Sequence, residues 1–330
     1  MENTDNFESH FSSRIDLEEL NAAVTEIKSE LQKIIVGQEE MLELLIVAIL
    51  SDGHVLIEGV PGVAKTLTAK LVAKSIDADF SRIQFTPDLM PSDILGTSIF
   101  NPKDQAFEFK KGPVFSNIIL IDEINRAPAK TQAALFEVME EYQITMDGIR
   151  YDMKKPFLVF ATQNPIEQEG TYALPEAQLD RFLFKINVPY PNLEEELRII
   201  ENQHHRKEKP LLEAVKPVLS SDKIVEYQKL VKSIVIENHL LKYIAEIIIN
   251  TRNNANLYLG ASPRASLAIM TASKALAAMN GRDFVTPDDI KKVAPSVLKH
   301  RIILTPEKEM EGLTPEKIIG QILEIIDIPR

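Results

Sequence analysis

Eight consecutive residues carry the densest chemistry in the chain: Gly59-Val60-Pro61-Gly62-Val63-Ala64-Lys65-Thr66. Small residues let successive backbone N–H groups turn inward around an anion, and a helix opening at Leu67 adds the positive end of its dipole. This is the spacing of a phosphate-wrapping P-loop, in which Lys65 would reach the β- and γ-phosphates of a nucleotide and the Thr66 hydroxyl would ligate Mg²⁺. Gly59 to Leu67 is therefore the candidate nucleotide cradle. Ala64 stands where the general pattern has glycine; alanine restricts positive φ, so the loop is expected to run through a conformation alanine accepts.

The apolar run Ile118-Ile119-Leu120-Ile121 ends in Asp122-Glu123. A division of labour follows, with Asp122 holding the hydration shell of a metal and Glu123 polarising a water for attack on the γ-phosphate. Ala161-Thr162-Gln163-Asn164-Pro165 closes the next apolar run, where Asn164 could position that water. Arg181 follows Leu179-Asp180, and Arg264 lies in Gly260-Ala261-Ser262-Pro263-Arg264. Taken singly these are ordinary features: a Gly/Pro turn with a solvated lysine, a capped strand end, an Asn-Pro turn, two surface arginines. Their succession at the ends of successive strands favours a nucleotide site.

The elements that hold them follow from periodicity. Short apolar runs at 54–58, 80–85, 117–121, 157–162 and 182–188 alternate with helical or irregular stretches, the pattern of a mostly parallel sheet covered by helices. Leu17, Leu20, Val24, Ile27, Leu31 and Ile34 recur at steps of three and four, predicting a helix, and a second is predicted over 39–50. Beyond Pro189-Tyr190-Pro191 the patterns are helical (193–205, 222–234, 240–250, 263–278, 288–300 and 315–326). The expected layout is a frayed tail over 1–15, an α/β nucleotide-binding domain over 16–190 and a helical domain over 191–330.

Composition narrows the function. Lys plus Arg number 37 against 49 Asp plus Glu, a net charge of −12, which is the wrong sign for coating nucleic acid or anionic lipid. There is no cysteine, so disulfides, thiolate metal sites and cysteine nucleophiles are excluded, and a reducing cytoplasm suits the chain. The longest strongly apolar run, at 44–50, is far short of the roughly 18 residues of a membrane span, and the acidic start of the chain is not a secretory signal. His204-His205 are adjacent, which lacks the i, i+4 geometry of a metal pair. Glu194-Glu195-Glu196 suits a helix N-terminal turn, and Glu140-Glu141 reads as the solvated end of a helix begun near Pro128.

With these blocks in order, the chain resembles the MoxR-type AAA+ ATPases over most of its length. The resemblance rests on Glu58 to Thr66, whose Ala64 agrees with this family's Walker A, and on Phe85-Thr86-Pro87-Asp88-Leu89-Met90-Pro91-Ser92-Asp93-Ile94. It rests also on the Walker B extension Asp122-Glu123-Ile124-Asn125-Arg126-Ala127-Pro128 and on the segments 174–182 and 260–265. It implies a five-stranded parallel core sheet with an all-helical lid, an insertion near 93–112 and a β-hairpin near 143–152. By the same resemblance Asn164 is sensor 1, Arg181 an arginine finger acting on a neighbour's nucleotide, and Arg264 sensor 2, in its own or a neighbouring subunit. The lid is expected over the nucleotide. Val36, in Ile35-Val36-Gly37-Gln38, reads either as a buried residue at a helix stop or, by resemblance, as packing on adenine. Arg126 resembles an arginine that faces a neighbouring subunit.

The implied activity is Mg²⁺-dependent ATP hydrolysis by a homo-oligomeric ring, hexameric by resemblance. It would be coupled to chaperone-like maturation of a protein client, with a von Willebrand factor A domain partner and no membrane insertion. Two other readings stay open. A nucleic-acid motor has Arg150, Lys154 and Lys155 in its favour and the net charge against it; a nucleotide-gated scaffold would bind ATP and scarcely hydrolyse it.

Overall fold

The structure, a computed structural model, describes residues 16–164, 172–205 and 211–328. The tail expected over 1–15, and Pro165 of the Asn164 segment, lie outside the described residues. Helices α1 (Glu18–Gln32) and α2 (Glu39–Leu50) precede strand β1 (Val55–Gly59), α3 (Lys65–Ser75) and β2 (Phe80–Gln84). A short α4 (Pro91–Leu95) leads into the hairpin β3 (Gly96–Asn101) and β4 (Ala106–Lys111), then β5 (Ile118–Asp122) and α5 (Ala129–Glu141). A second hairpin, β6 (Gln143–Met146) and β7 (Ile149–Asp152), is followed by β8 (Leu158–Gln163), α6 (Glu176–Leu179) and β9 (Phe184–Val188). The rest is mainly helical: α7 (Leu193–His205), α8 (Ser221–Lys232), α9 (Asn238–Arg252), α10 (Pro263–Met279), α11 (Pro287–Leu298), α12 (Pro306–Met310) and α13 (Pro315–Ile325).

Five parallel strands form one sheet in the order β2-β5-β8-β1-β9. Along β5, Ile118 and Leu120 enter the core on one face and Ile119 and Ile121 the core on the other. Both faces are dry, so the strand reads as an unbroken apolar run. On one face α5 brings Leu135, Phe136 and Met139 against Val159 and Phe182. On the other, α1, α2 and α3 share a single continuous core with the C-terminal helices. The apolar α2, buried from Met41 to Leu50 apart from Glu43, is the centre of that layer, with α10 packed on it and on α1 and α11 packed on β9.

Between α9 and α10 lies β10 (Leu257–Leu259), paired antiparallel with β11 (Ile303–Leu304). Segments of two or three residues are below the length at which alternation shows in a sequence. The two hairpins stand at 96–111 and 143–152, each antiparallel, and the Ser98 hydroxyl donates to Asp147 to tie them together.

Two histidines sit fully inside. The Val159 N–H donates to His54 Nδ1 at 3.0 Å, so the proton of the neutral ring is on Nε2, which faces the Met139 carbonyl at 3.2 Å. His300 Nε2 faces the Phe182 carbonyl at 3.0 Å. Burial lowers both pKa values, and Arg301 beside it pushes His300 further down. Both are neutral when folded and bind a proton more readily when unfolded, so their contribution to stability is whole above the ordinary histidine pKa of about 6.5 and is lost as pH falls below it. Urea unfolding between pH 7.5 and 5.5 should show stability falling by up to about 1.4 kcal/mol per pH unit for each histidine. A flat or rising profile would contradict this assignment.

Candidate active site

The C-terminal edge of the sheet gathers the P-loop after β1, Asp122 and Glu123 after β5, and Asn164 after β8. Gly62 takes φ 91°, with no atom within 4 Å of where a Cβ would stand, so the loop leaves open room on that side. Ala64 takes φ 58° and ψ 17°. This corrects the expectation drawn from its side chain: alanine here adopts the left-handed backbone that glycine usually supplies, and α3 starts at Lys65 rather than at Leu67. That backbone costs a non-glycine residue about 1–2 kcal/mol, and the greater freedom of glycine in the unfolded chain cancels about half of the relief. Ala64→Gly is therefore expected to raise stability by about 0.5–1 kcal/mol with nucleotide affinity unchanged, as read by thermal unfolding with and without ATP.

No acidic residue stands in the first turn of α3, which leaves the positive end of its dipole available to an anion. The Lys65 ammonium donates to the Gly59 carbonyl at the mouth of the loop. The Thr66 hydroxyl lies 3.3 and 3.4 Å from the two Asp122 carboxylate oxygens. Asp122 is 6% exposed, accepts from the Thr162 hydroxyl at 3.1 Å and pairs with Arg82 Nε at 2.6 Å. Glu123 is held in the left-handed region, φ 58° and ψ 54°, and its N–H donates to Thr162 Oγ1 at 3.0 Å. Its carboxylate takes Gln84 Nε2 at 2.8 Å and Arg126 Nε at 3.2 Å, which points it across the edge towards β2.

Thr66 and Asp122 supply the hard oxygen donors that Mg²⁺ prefers, with phosphates and water left to complete its shell. Among the described residues no group of three or more His, Asp or Glu could hold a metal by itself. Lys65, Thr66, Asp122, Glu123 and Asn164 line one cavity of about 360 Å³ together with Arg82 and Gln84. A second, of about 430 Å³, adjoins it across Pro61, Gly62, Ala64 and Leu67, and is walled by Val36, Val63, Tyr190 and Ile199. Its apolar walls suit a purine base. Gly59 and Val60 line neither: Gly59 ends β1 and offers its carbonyl to Lys65, and Val60 packs on the core.

Arg82, Gln84 and Thr162 escaped the reading of the sequence. Arg82 and Gln84 alternate with the buried Ile83 on β2, and Gln84 pairs in register with Asp122. A strand's period of two was the available signal, since it puts positions 82 and 84 on one side of the sheet.

Arg181 and Arg264 are not at this site. Arg181 precedes β9, so it lies at the opposite, N-terminal edge of the parallel sheet, about 16 Å away by the rise of a five-residue strand. There it lines a third cavity, of about 320 Å³, with Glu140, Arg264 and Arg301. Arg181 Nη1 donates to the Phe136 carbonyl at 2.9 Å and pairs with Glu140, which also pairs with Arg264. Ser262 caps α10, accepting from the Arg264 N–H at 3.2 Å, and its hydroxyl donates to Asp180 at 2.8 Å. Arg301, 7% exposed, pairs with Asp180 at 2.8 Å and donates to the Phe182 and Leu183 carbonyls. The segment carrying Arg181 and the helix carrying Arg264 are thus fastened to each other. Among the described residues of α7 to α13, only α7 walls the P-loop cavities, joined by Leu211 just beyond it; α8 to α13 contribute nothing to them.

Known proteins resemble this chain in sequence and fold. The model of the ATPase family associated with various cellular activities (AAA) matches residues 54–184, and that of the AAA lid domain matches 249–322. YeaC of Bacillus subtilis is 45% identical over 312 residues, 94% of this chain and 97% of that one. Chaperone MoxR1 of Mycobacterium tuberculosis is 45% identical over 310 residues, 91% of this chain and 81% of that one. A crystal structure from Cytophaga hutchinsonii superposes with a TM-score of 0.87 at 44% identity, covering 94% of this chain and 97% of that chain. The P-loop, the acid pair after β5 and this likeness over nearly the whole chain lead to one conclusion: the chain belongs to the MoxR-type AAA+ ATPases, nucleotide-binding enzymes that hydrolyse ATP.

Proposed function

We propose that the chain is an Mg²⁺-dependent ATPase whose catalytic centre is completed by a neighbouring copy in a homo-oligomeric ring, hexameric by family resemblance. Hydrolysis in that ring drives chaperone-like remodelling of protein complexes in the cytoplasm. The observation that carries this reading is the position of Arg181 and Arg264, side by side at the sheet edge opposite their own P-loop.

Each residue has a task in that reaction. The loop from Gly59 to Ala64 wraps the phosphates with backbone amides, and Lys65 offsets charge on the β- and γ-phosphates. Val36 and Leu67 pack the base and ribose side. Thr66 and Asp122 hold Mg²⁺, which when bound cancels charge on the phosphate oxygens. Glu123 takes up proton density from the attacking water and Asn164 orients it. The transition state is loose and gathers charge on the γ-phosphate oxygens, so catalysis comes from positioning and charge cancellation. Arg181 and Arg264 of the neighbour supply the last positive charges, which makes turnover depend on assembly.

A protein client, through a partner such as a von Willebrand factor A domain protein, is favoured over nucleic acid. The relative from Mycobacterium tuberculosis is named a chaperone. The hairpin of β3 and β4 exposes an aromatic pair, Phe100 and Phe107, 5.5 Å apart between ring centres, beside the exposed Lys103, Lys110 and Lys111. Two of the basic residues that could serve nucleic acid pair with the chain's own acids, Arg150 with Asp152 at 2.7 Å and Lys155 with Asp52 at 2.8 Å. The reading predicts that ATPase activity per subunit rises cooperatively with protein concentration, in step with assembly followed by sedimentation. Constant activity per subunit down to concentrations at which the chain is monomeric would overturn it.

A further inference from the structure

A feature outside the nucleotide site breaks a local rule. Helix α5 ends in Glu140-Glu141 with no basic residue in its last turn, so acids stand at the negative end of the helix dipole, where they are unfavourable. Such a violation marks a residue kept for something other than the helix it ends. Glu140 is the point where the third cavity converges. One carboxylate oxygen pairs with Arg181 and the other with Arg264, side chains 41 and 124 positions away in the chain. Two guanidinium groups would repel each other across this gap if no anion lay between them.

We propose that Glu140 is a positioning residue: a resident anion that holds Arg181 and Arg264 converged on one point, and that the neighbour's γ-phosphate displaces when subunits assemble around ATP. This rests on the reading of the two arginines as acting on a neighbour's nucleotide. The carboxylate does two opposed things. It keeps the arginines together in the free subunit, and it competes with the phosphate for them. A phosphate oxygen pair offers the same acceptor geometry with more charge, so it wins at a formed interface, whereas in a free subunit Glu140 keeps the cationic pair from capturing other anions. The fastenings of Asp180 to Ser262 and Arg301 remain when Glu140 is displaced, so both arginines are transferred as a unit.

The test uses the full chain with a non-hydrolysable ATP analogue and Mg²⁺, following assembly by sedimentation velocity across protein concentration. Glu140→Gln keeps the side chain's shape and removes its charge. Its assembly midpoint is expected to fall about three- to tenfold below wild type, the scale of two partly exposed ion pairs. In an Arg181→Ala, Arg264→Ala background the same change should leave the midpoint where it was. An unmoved or raised midpoint, or a shift that persists without the arginines, overturns the proposal. Glu140→Ala is the second variant and should shift the midpoint in the same direction. Failure of the underlying reading shows separately, as wild-type turnover in Arg181→Ala alone.

Discussion

Arg181→Ala is expected to lower ATP turnover by about a thousandfold or more while leaving the affinity for ATP within about threefold of wild type, since an arginine finger is worth roughly 10³ to 10⁵ in rate. The split follows from where the side chain sits. Arg181 lies a strand's length from its own P-loop, so removing it takes nothing from the cradle formed by Gly62, Lys65 and Thr66. Its contacts within the chain are to Glu140 and the Phe136 carbonyl, and Glu140 keeps Arg264 as a partner, so the fold loses little. Turnover and equilibrium binding of a fluorescent ATP analogue measure the two sides. A fall of less than tenfold, or a parallel loss of affinity, would contradict the assignment.

Glu123→Gln should reduce turnover by about 10² to 10⁴, the usual worth of a positioned general base, and leave ATP bound. Glutamine preserves the reach of the side chain but cannot accept a proton from water. The pairing with Arg126 at 3.2 Å weakens, while Asp122, Thr66 and Arg82 keep their own contacts, so the metal-binding corner is undisturbed. The variant becomes a trap that retains ATP, measured by single-turnover kinetics with radiolabelled nucleotide. Equal turnover in the variant and the wild type would favour the nucleotide-gated scaffold.

Much of the nucleotide site is written in local chemistry. Small residues before Lys65, an apolar run before Asp122, and Asn164 at a strand end are each confined to a few neighbouring positions, and the sheet that unites them is buried on both faces, so its strands stand out. What stayed hidden depends on packing between distant segments. Arg82 and Thr162 are ordinary residue types until β2 and β8 flank β5 and bring them to Asp122. Glu140 resembles any solvated acid until β9 and α10 carry Arg181 and Arg264 to it. The expected cover over the nucleotide was half legible: α7 reaches the P-loop cavity, but α10 docks on α2 instead, because its apolar face joins the core of α1 and α2. Ala64 shows a further limit, since a side chain's preference is overruled when the loop between β1 and α3 demands a left-handed residue.

The central claim is that each nucleotide is cleaved with an arginine borrowed from the next subunit. Arg181→Ala subunits keep a whole Glu123 site but lend nothing, whereas Glu123→Gln subunits lend Arg181 but cannot hydrolyse. Mixing the two inactive proteins, with co-assembly verified by sedimentation, should restore turnover at the mixed interfaces, rising to a maximum near equal proportions. Mixed assemblies that stay as inactive as either parent at every ratio would contradict the account.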